Sequence, residues 1–387
     1  MEFIDAYTEG VYGLVWHLLR MSQKSNKSQI KVLIVDDSAF MRTALSRMVA
    51  SDAGLCVVGT AASGIEALQK VASLDPDVIT LDVEMPGIDG LETLRRIMAQ
   101  FPRPVIMVSS ATVHEAEITL DTLEAGAFDY VPKHLSSTSL DVDHIREDLV
   151  AKLKAAAERR AAKVDFNLQR KPPRAVQLLA RQSSLLPPRA APIIVAIGIS
   201  TGGPKALQDI FPTLPKDLAV PIVVVQHMPP GFTAPFAERL NKLCAVSIRE
   251  ASDRESVRPG VVYLAPAGSH ITVQRSTGSR TMIRLSEKPE KQSHIPSIDV
   301  MMQSVADAFG PLAMGIIMTG MGSDGARGME AIHRAGGLTV GQDEMSCAVY
   351  GMPHVCAEMG ILDRVVPLSQ IRDEILQATG YQKTSVG

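Results

Sequence analysis

Apolar and polar positions follow two rhythms along this chain. Short unbroken apolar runs of strand length are each followed by a segment in which apolar residues recur every three or four positions. The first rhythm predicts strands buried on both faces, the second amphipathic helices. Between positions 29 and 147 the alternation reads KVLIV then AFMRTALSRMVA, LCVVGTA then GIEALQKVAS, DVITLD then GLETLRRIMA, PVIMVSS then EAEITLDTLEAG, and FDYV before a last helix. Five such units predict an α/β domain whose parallel sheet is covered on both faces.

The rhythm breaks over 148–191. AKLKAAAERRAAKV (151–164) is alanine-rich, basic and helical in pattern, and the prolines at 172, 173, 187 and 188 then oppose a continued helix. This stretch is read as a basic, semi-extended linker. Alternation resumes over 192–384: IIVAIG, PIVVVQH, VVYLAP, AMGIIMTG and LTVGQD are strand-like, with helical segments between them, while ITVQRS and TMIRLS look like an antiparallel hairpin. A second α/β domain with a mainly parallel sheet and a β-hairpin insertion is expected.

Composition narrows the classes. A length of 387 residues exceeds one ordinary core. The net charge of −3 gives no general attraction to nucleic acid or to an anionic membrane, and the basic linker lacks interleaved aromatics or a recognition-helix pattern. Cys56, Cys244, Cys347 and Cys356 have no metal-type spacing and read as buried thiols of a reducing compartment, with a cytoplasmic location expected. No apolar run approaches the roughly 20 residues of a spanning helix. Residues 1–28 are read as an extension of unassigned role: Glu2, Asp5 and Glu9 stand where a signal peptide is basic, and Met21 offers an alternative start.

In open parallel sheets, sites gather at the C-terminal strand ends, and that is where Asp36, Asp37, Asp82, Ser109 and Lys133 fall. An acidic pair at a strand end is by itself a turn or a helix cap. Three convergent carboxylates, however, form a hard oxygen site suited to Mg²⁺. A phosphoryl group on Asp82 would need a hydroxyl and a cation as well, which Ser109 and Lys133 supply.

A second constellation lies downstream. GISTG at 198–202 matches the G-x-S-x-G elbow, in which small neighbours let a serine project from a strand-to-helix turn. Taken alone, Ser200 is more often a helix cap or a phosphate-loop component, His227 a polar strand end and Asp324 a turn residue before Gly325. Together they place a nucleophile, a base and an orienting acid at three strand ends. On spacing, His270 and His294 compete with His227, and His333 and His354 are further histidines. The order Ser, His, acid differs from the usual α/β-hydrolase order.

The first constellation, ordered on five βα units over about 30–147, resembles the receiver domain of two-component response regulators, a flavodoxin-like (βα)5 fold. The resemblance implies that Asp82 is phosphorylated, that Asp36, Asp37, Asp82 and the Glu84 carbonyl hold Mg²⁺, that Ser109 and Lys133 report the phosphate, and that Tyr130 is the switch aromatic. Over about 192–378, GISTGGP, VVVQHMPPGF, APAGSH, PSIDVMMQSVA, MTGMGSDGARGM and VYGMP resemble the Rossmann-like catalytic domain of CheB-type chemotaxis methylesterases. That resemblance makes Ser200 the nucleophile, His227 the base and Asp324 the orienting carboxylate. It implies hydrolysis of glutamate γ-methyl esters, and often deamidation of glutamines, on methyl-accepting chemotaxis receptors. No cofactor is implied for the hydrolysis.

It further implies a CheA-type histidine kinase as phosphodonor and a receiver that covers the catalytic edge until Asp82 is phosphorylated. Backbone amides at a helix start suit a tetrahedral oxyanion, and Thr201 and Met321 are the candidates. The chain departs from the family at Ile295, where an arginine is common before the proline. Two other classes compete: a receiver-regulated binding module without turnover, which the intact Ser200, His227 and Asp324 oppose, and a DNA-binding regulator, for which no helix-turn-helix pattern is visible.

Overall fold

The computed structural model describes residues 29–110, 113–133, 139–168, 190–275, 280–289 and 294–381; the expected N-terminal extension and the proline-bearing part of the linker lie outside the described residues. The first half consists of β1 (Ile30–Val35), α1 (Ala39–Ala50), β2 (Leu55–Ala61), α2 (Gly64–Leu74), β3 (Val78–Asp82), α3 (Gly90–Gln100), β4 (Val105–Ser109), α4 (Val113–Glu124), β5 (Asp129–Pro132) and α5 (Ser139–Leu168). Its five strands lie in the order β2-β1-β3-β4-β5, all parallel.

Every position of β3 and β4 is buried, which is why their sequences run apolar without alternation. Side chains start the first three helices: Ser38, Ser63 and Asp89 accept from the amides of Met41, Glu66 and Glu92. Each such cap contributes about 1 kcal/mol. Helix α5 continues through the basic alanine-rich stretch. Its Leu149, Leu153 and Ala156, spaced to share one face, are buried in a cluster with Val32, Ile34, Val78 and Ile106 of the first sheet.

The second half runs β6 (Ile194–Ile199), α6 (Gly203–Ile210), β7 (Ile222–Gln226), α7 (Thr233–Leu243), β8 (Ser247–Glu250), β9 (Val261–Leu264), β10 (His270–Arg275), β11 (Thr281–Ser286), α8 (Ile298–Phe309), β12 (Ala313–Ile317), α9 (Ala326–Arg334), β13 (Leu338–Gln342), α10 (Met352–Glu358), β14 (Arg364–Val366) and α11 (Leu368–Ala378). A seven-stranded sheet has the order β14-β13-β12-β6-β7-β9-β8, while β10 and β11 pair separately as the antiparallel hairpin. All neighbours in the large sheet are parallel.

Two strands of this sheet carry no clear apolar run. They are its edges, β8 (SIRE) and β14 (RVV), short and only partly buried, so neither needs one. Both sheets have a topological switch point, between β1 and β3 in the first and between β6 and β12 in the second. Crevices open there beyond the strand ends. One apolar cluster runs from Leu120, Leu123 and Tyr130 of the first half to Met228, Phe232 and Phe236 of the second.

Candidate active site and the phosphoryl-acceptor site

At the first switch point the structure brings together Asp36, Asp37, Asp82 and Lys133. One oxygen from each carboxylate lies within 4.8 Å of the others. Asp36 and Asp82 are buried and Asp37 is exposed. Lys133 Nζ reaches Asp82 Oδ1 at 2.6 Å and Asp36 Oδ2 at 3.4 Å. Asp36 Oδ1 accepts from the Ser38 amide at 2.9 Å, and Asp82 Oδ1 from the Glu84 amide at 3.2 Å.

Burial, reinforced by the charge of Asp36, pushes the Asp82 carboxyl up to about 6 against the pull of Lys133. The buried Oδ2 atom of Asp82 has no hydrogen-bond partner among the described residues, and that of Asp36 has only the Lys133 ion pair. Under-satisfied carboxylate oxygens in a tight acidic cluster fit a small hard cation such as Mg²⁺. Glu84 lines the same cleft, with Asp89 and Ile118.

Ser109 does not turn its hydroxyl to Asp82 here. It lies 3.2 Å from a Glu115 carboxylate oxygen and accepts from Thr119 Oγ1 at 2.8 Å, both on α4. Glu115 also takes the amide and hydroxyl of Ser110. Tyr130 is buried, and its ring stacks on Phe232 with centroids 4.9 Å apart and planes 16° apart. Burial pushes its hydroxyl pKa well up.

At the second switch point Ser200, His227 and Asp324 meet, following β6, β7 and β12. Ser200 is held at the elbow by its amide, which donates to Thr319 O at 3.0 Å. Gly202 follows at φ +74°, the left-handed conformation that lets α6 begin three residues after the serine; a Cβ there would lie 2.3 Å from Ala348 Cβ. His227 Nδ1 lies 3.2 Å from Ser200 Oγ, and its Nε2 lies 2.9 Å from Asp324 Oδ2. A carboxylate only accepts, so the histidine proton is assigned to Nε2, and Nδ1 is left to take a proton from the serine.

Asp324 has four donors. Its Oδ1 accepts from Ser297 Oγ at 2.9 Å and the Asp299 amide at 3.0 Å. Its Oδ2 accepts from the Ile298 amide at 2.8 Å and from His227. Burial alone would raise this carboxyl, but the His227 and backbone hydrogen bonds outweigh it and hold the group well below the usual carboxylate range. The helix N-terminus of α8 adds its own positive end.

The Asp324 loop is in turn clamped by Asp299, whose Oδ1 accepts from the amides of Gly325 and Gly328 at 2.9 Å each and whose Oδ2 takes Arg327 Nε at 2.9 Å. Among the described residues, neither the Thr201 nor the Met321 amide has an acceptor, and both residues line the crevice beside Ser200.

The competing histidines separate. His270 is buried, accepts the Ser297 amide at Nδ1 (3.0 Å) and faces Pro289 O with Nε2 (3.2 Å). His294 stacks on the His227 ring. His333 and His354 sit on helices α9 and α10. Sequence reasoning missed Ser297, Asp299, Gln226 and Thr319. Ser297 carried a signal, a serine directly before an apolar helical run. Gln226 is buried and donates from Nε2 to Ser200 O and His227 O, each at 3.0 Å.

The crevice is roofed by the first half of the chain. A cavity of about 660 Å³ has Ser200, Thr201, His227 and Met321 on one wall and Tyr130, Asp148 and Lys152 on the other. Lys152 Nζ donates to Tyr130 O at 2.7 Å and pairs with Asp148 at 2.9 Å. Among the described residues, polar contacts also tie the halves outside the cavity: Arg239 of α7 pairs with Asp121 and Glu124 of α4, and Arg159 of α5 donates to Cys347 O at 2.6 Å.

The family model described as response regulator receiver domain matches residues 32–143, and the one described as CheB methylesterase matches residues 195–375. A protein of Oleidesulfovibrio alaskensis named protein-glutamate methylesterase/protein-glutamine glutaminase 1 is 44% identical over 366 residues, spanning 90% of this chain and 99% of its own. Its counterpart in Symbiobacterium thermophilum is 46% identical over 360 residues, spanning 91% of this chain and 97% of its own. The crystal structure of the Thermotoga maritima CheB methylesterase catalytic domain is 37% identical and covers 49% of this chain and 99% of that chain, at a TM-score of 0.47. With a receiver domain ahead of a methylesterase domain, and relatives of this identity along nearly their whole length, the chain belongs to the CheB-type protein-glutamate methylesterase family.

Proposed function

We propose that this protein is a phosphorylation-activated serine hydrolase that cleaves glutamate γ-methyl esters on methyl-accepting chemotaxis receptors, and that it also deamidates receptor glutamines. The observation that carries the reading is the hydrogen-bonded line from Ser200 through His227 to Asp324 at one switch point. In this mechanism Ser200 Oγ attacks the γ-carbonyl while its proton passes to His227 Nδ1, and the Thr201 and Met321 amides meet the oxyanion. Collapse of the intermediate expels methanol, which takes that proton and leaves an acyl-enzyme. Water then attacks, again giving a proton to Nδ1, and its collapse frees the glutamate and Ser200. With glutamine the leaving group is ammonia.

Control comes from the receiver. Asp82 accepts the phosphoryl group from a CheA-type histidine kinase, and Lys133 meets its charge. Mg²⁺ held by Asp36, Asp37, Asp82 and the Glu84 carbonyl would neutralise phosphate oxygens during the transfer. For Ser109 to reach the phosphate it must leave Glu115 and Thr119, which loosens its tie to α4. Helix α4 carries Asp121 and Glu124, the partners of Arg239, so this rearrangement bears directly on the cover. The working location is the cytoplasm, and among the described residues no helix is long and apolar enough to cross a membrane. Intact-mass analysis of a methylated receptor fragment tests the activity: ester cleavage removes a methylene mass, and a fragment unchanged after incubation with the phosphorylated protein would contradict it.

A further inference from the structure

We propose that His294 is a positioning residue for the hydrolysis, its flat ring holding the His227 imidazole in the plane that aims Nδ1 at Ser200. The inference rests on the reading of Ser200, His227 and Asp324 as the catalytic set. The two imidazoles stack with centroids 4.1 Å apart and planes 22° apart. His227 uses both nitrogens within its own plane, one toward Ser200 Oγ and one toward Asp324 Oδ2, so rotation of the ring out of that plane breaks both contacts at once. The hydrogen bond to Asp324 anchors one edge of the ring. The Ser200 contact at 3.2 Å is the longer of the two, and a face-to-face neighbour opposes tilting about the anchored edge.

The chain gives His294 the means to act in this way. It stands three residues before Ser297, and the segment 297–299 supplies three of the four donors to Asp324. The Ser297 amide is fixed to His270, which is buried. One loop therefore sets the position of the carboxylate below His227 and of the ring against its face. At pH 8, above the ordinary histidine value of about 6.5, an imidazole is neutral and presents a π-face. Such a face also favours the positive charge that His227 acquires when it takes the serine proton.

The test is steady-state methanol release by the full chain, saturated with acetyl phosphate and Mg²⁺ at pH 8, for wild type, His294→Ala, His294→Leu and His294→Phe, with Ser200→Ala alongside. Misplacing a catalytic group slightly costs up to about 100-fold. The expected result is a kcat lowered about 10- to 100-fold in the Ala and Leu variants, KM within about twofold of wild type, and recovery in the Phe variant to within about threefold. Leu fills a similar volume without a flat face, so it keeps the comparison valid if Ala alone unfolds. Wild-type kcat in the Leu variant, a loss confined to KM, or a Phe variant no better than Leu overturns the proposal. Full turnover by Ser200→Ala would instead overturn the catalytic set itself.

Discussion

Tyr130 of the receiver lies flat against Phe232 of the catalytic domain, with ring centroids 4.9 Å apart. Tyr130 is the second residue of β5, the strand paired with β4, whose last residue is Ser109. Phe232 directly precedes α7, which carries Arg239. The β5 and α4 side of the receiver thus carries the contacts with α7 and the residue before it. An aromatic pair of this kind contributes about 0.5–1.5 kcal/mol beyond its buried area.

Weakening the contacts between the two halves is expected to raise unstimulated activity. Arg239→Ala removes the exposed pairs to Asp121 and Glu124 without touching the catalytic crevice. Exposed pairs are worth about 0.2–1 kcal/mol each, so with both removed hydrolysis without phosphodonor is expected to rise about two- to thirtyfold. Activity at saturating phosphodonor stays unchanged, and the stimulation ratio shrinks accordingly. Equal basal rates for the variant and wild type would show that the pair does not hold the cover.

Asp324→Asn separates orientation from charge. An amide at this position turns an NH₂ toward donors that need an acceptor, so a turnover loss of about 10⁴-fold is expected, by analogy with other Ser–His–Asp sites. The stability effect has a defined sign. Asp324 is depressed in the folded protein, so its contribution is fully present above the unfolded aspartate value of about 3.9 and is lost as pH falls through the lower folded value. Thermal melts should show wild type above the variant at pH 7, with the gap narrowing below about pH 4. A gap that widens on acidification contradicts the four-donor account.

Gly320→Ala tests the space behind the nucleophile. A Cβ at Gly320 would sit 2.8 Å from Ser200 Cβ and 2.4 Å from Met352 Sδ. The contact is relieved only by a shift of the 319–320 backbone or of Ser200, and because the serine amide is tied to Thr319 O either shift displaces the nucleophile. Turnover is expected to fall about 10- to 100-fold, while phosphorylation of Asp82, followed by phosphate incorporation, is unaffected.

Much of this architecture was legible because the physics is local. Fully buried β3, β4, β6 and β7 run almost wholly apolar, and the polar residue that ends such a run stands out; Asp82, Ser109, Ser200 and His227 all lie at or next to these ends. The edge strands β8 and β14 escaped notice because a short, half-exposed strand imposes no pattern. Ser297 and Asp299 were legible as a helix start, but what they hold, the Asp324 loop, is a contact across 25 to 29 positions that no local rule encodes. The choice among His227, His270 and His294 likewise needed three dimensions. The turn of Ser109 toward Glu115 depends on the side-chain arrangement of α4, which periodicity does not report.

The most direct measurement is methanol release from a methylated receptor fragment, with and without acetyl phosphate and Mg²⁺, for wild type, Ser200→Ala and Asp82→Asn. The account predicts stimulated release by wild type, no release by Ser200→Ala, and basal release that phosphodonor leaves unchanged in Asp82→Asn. Release that survives in Ser200→Ala, or stimulation that survives in Asp82→Asn, would contradict it.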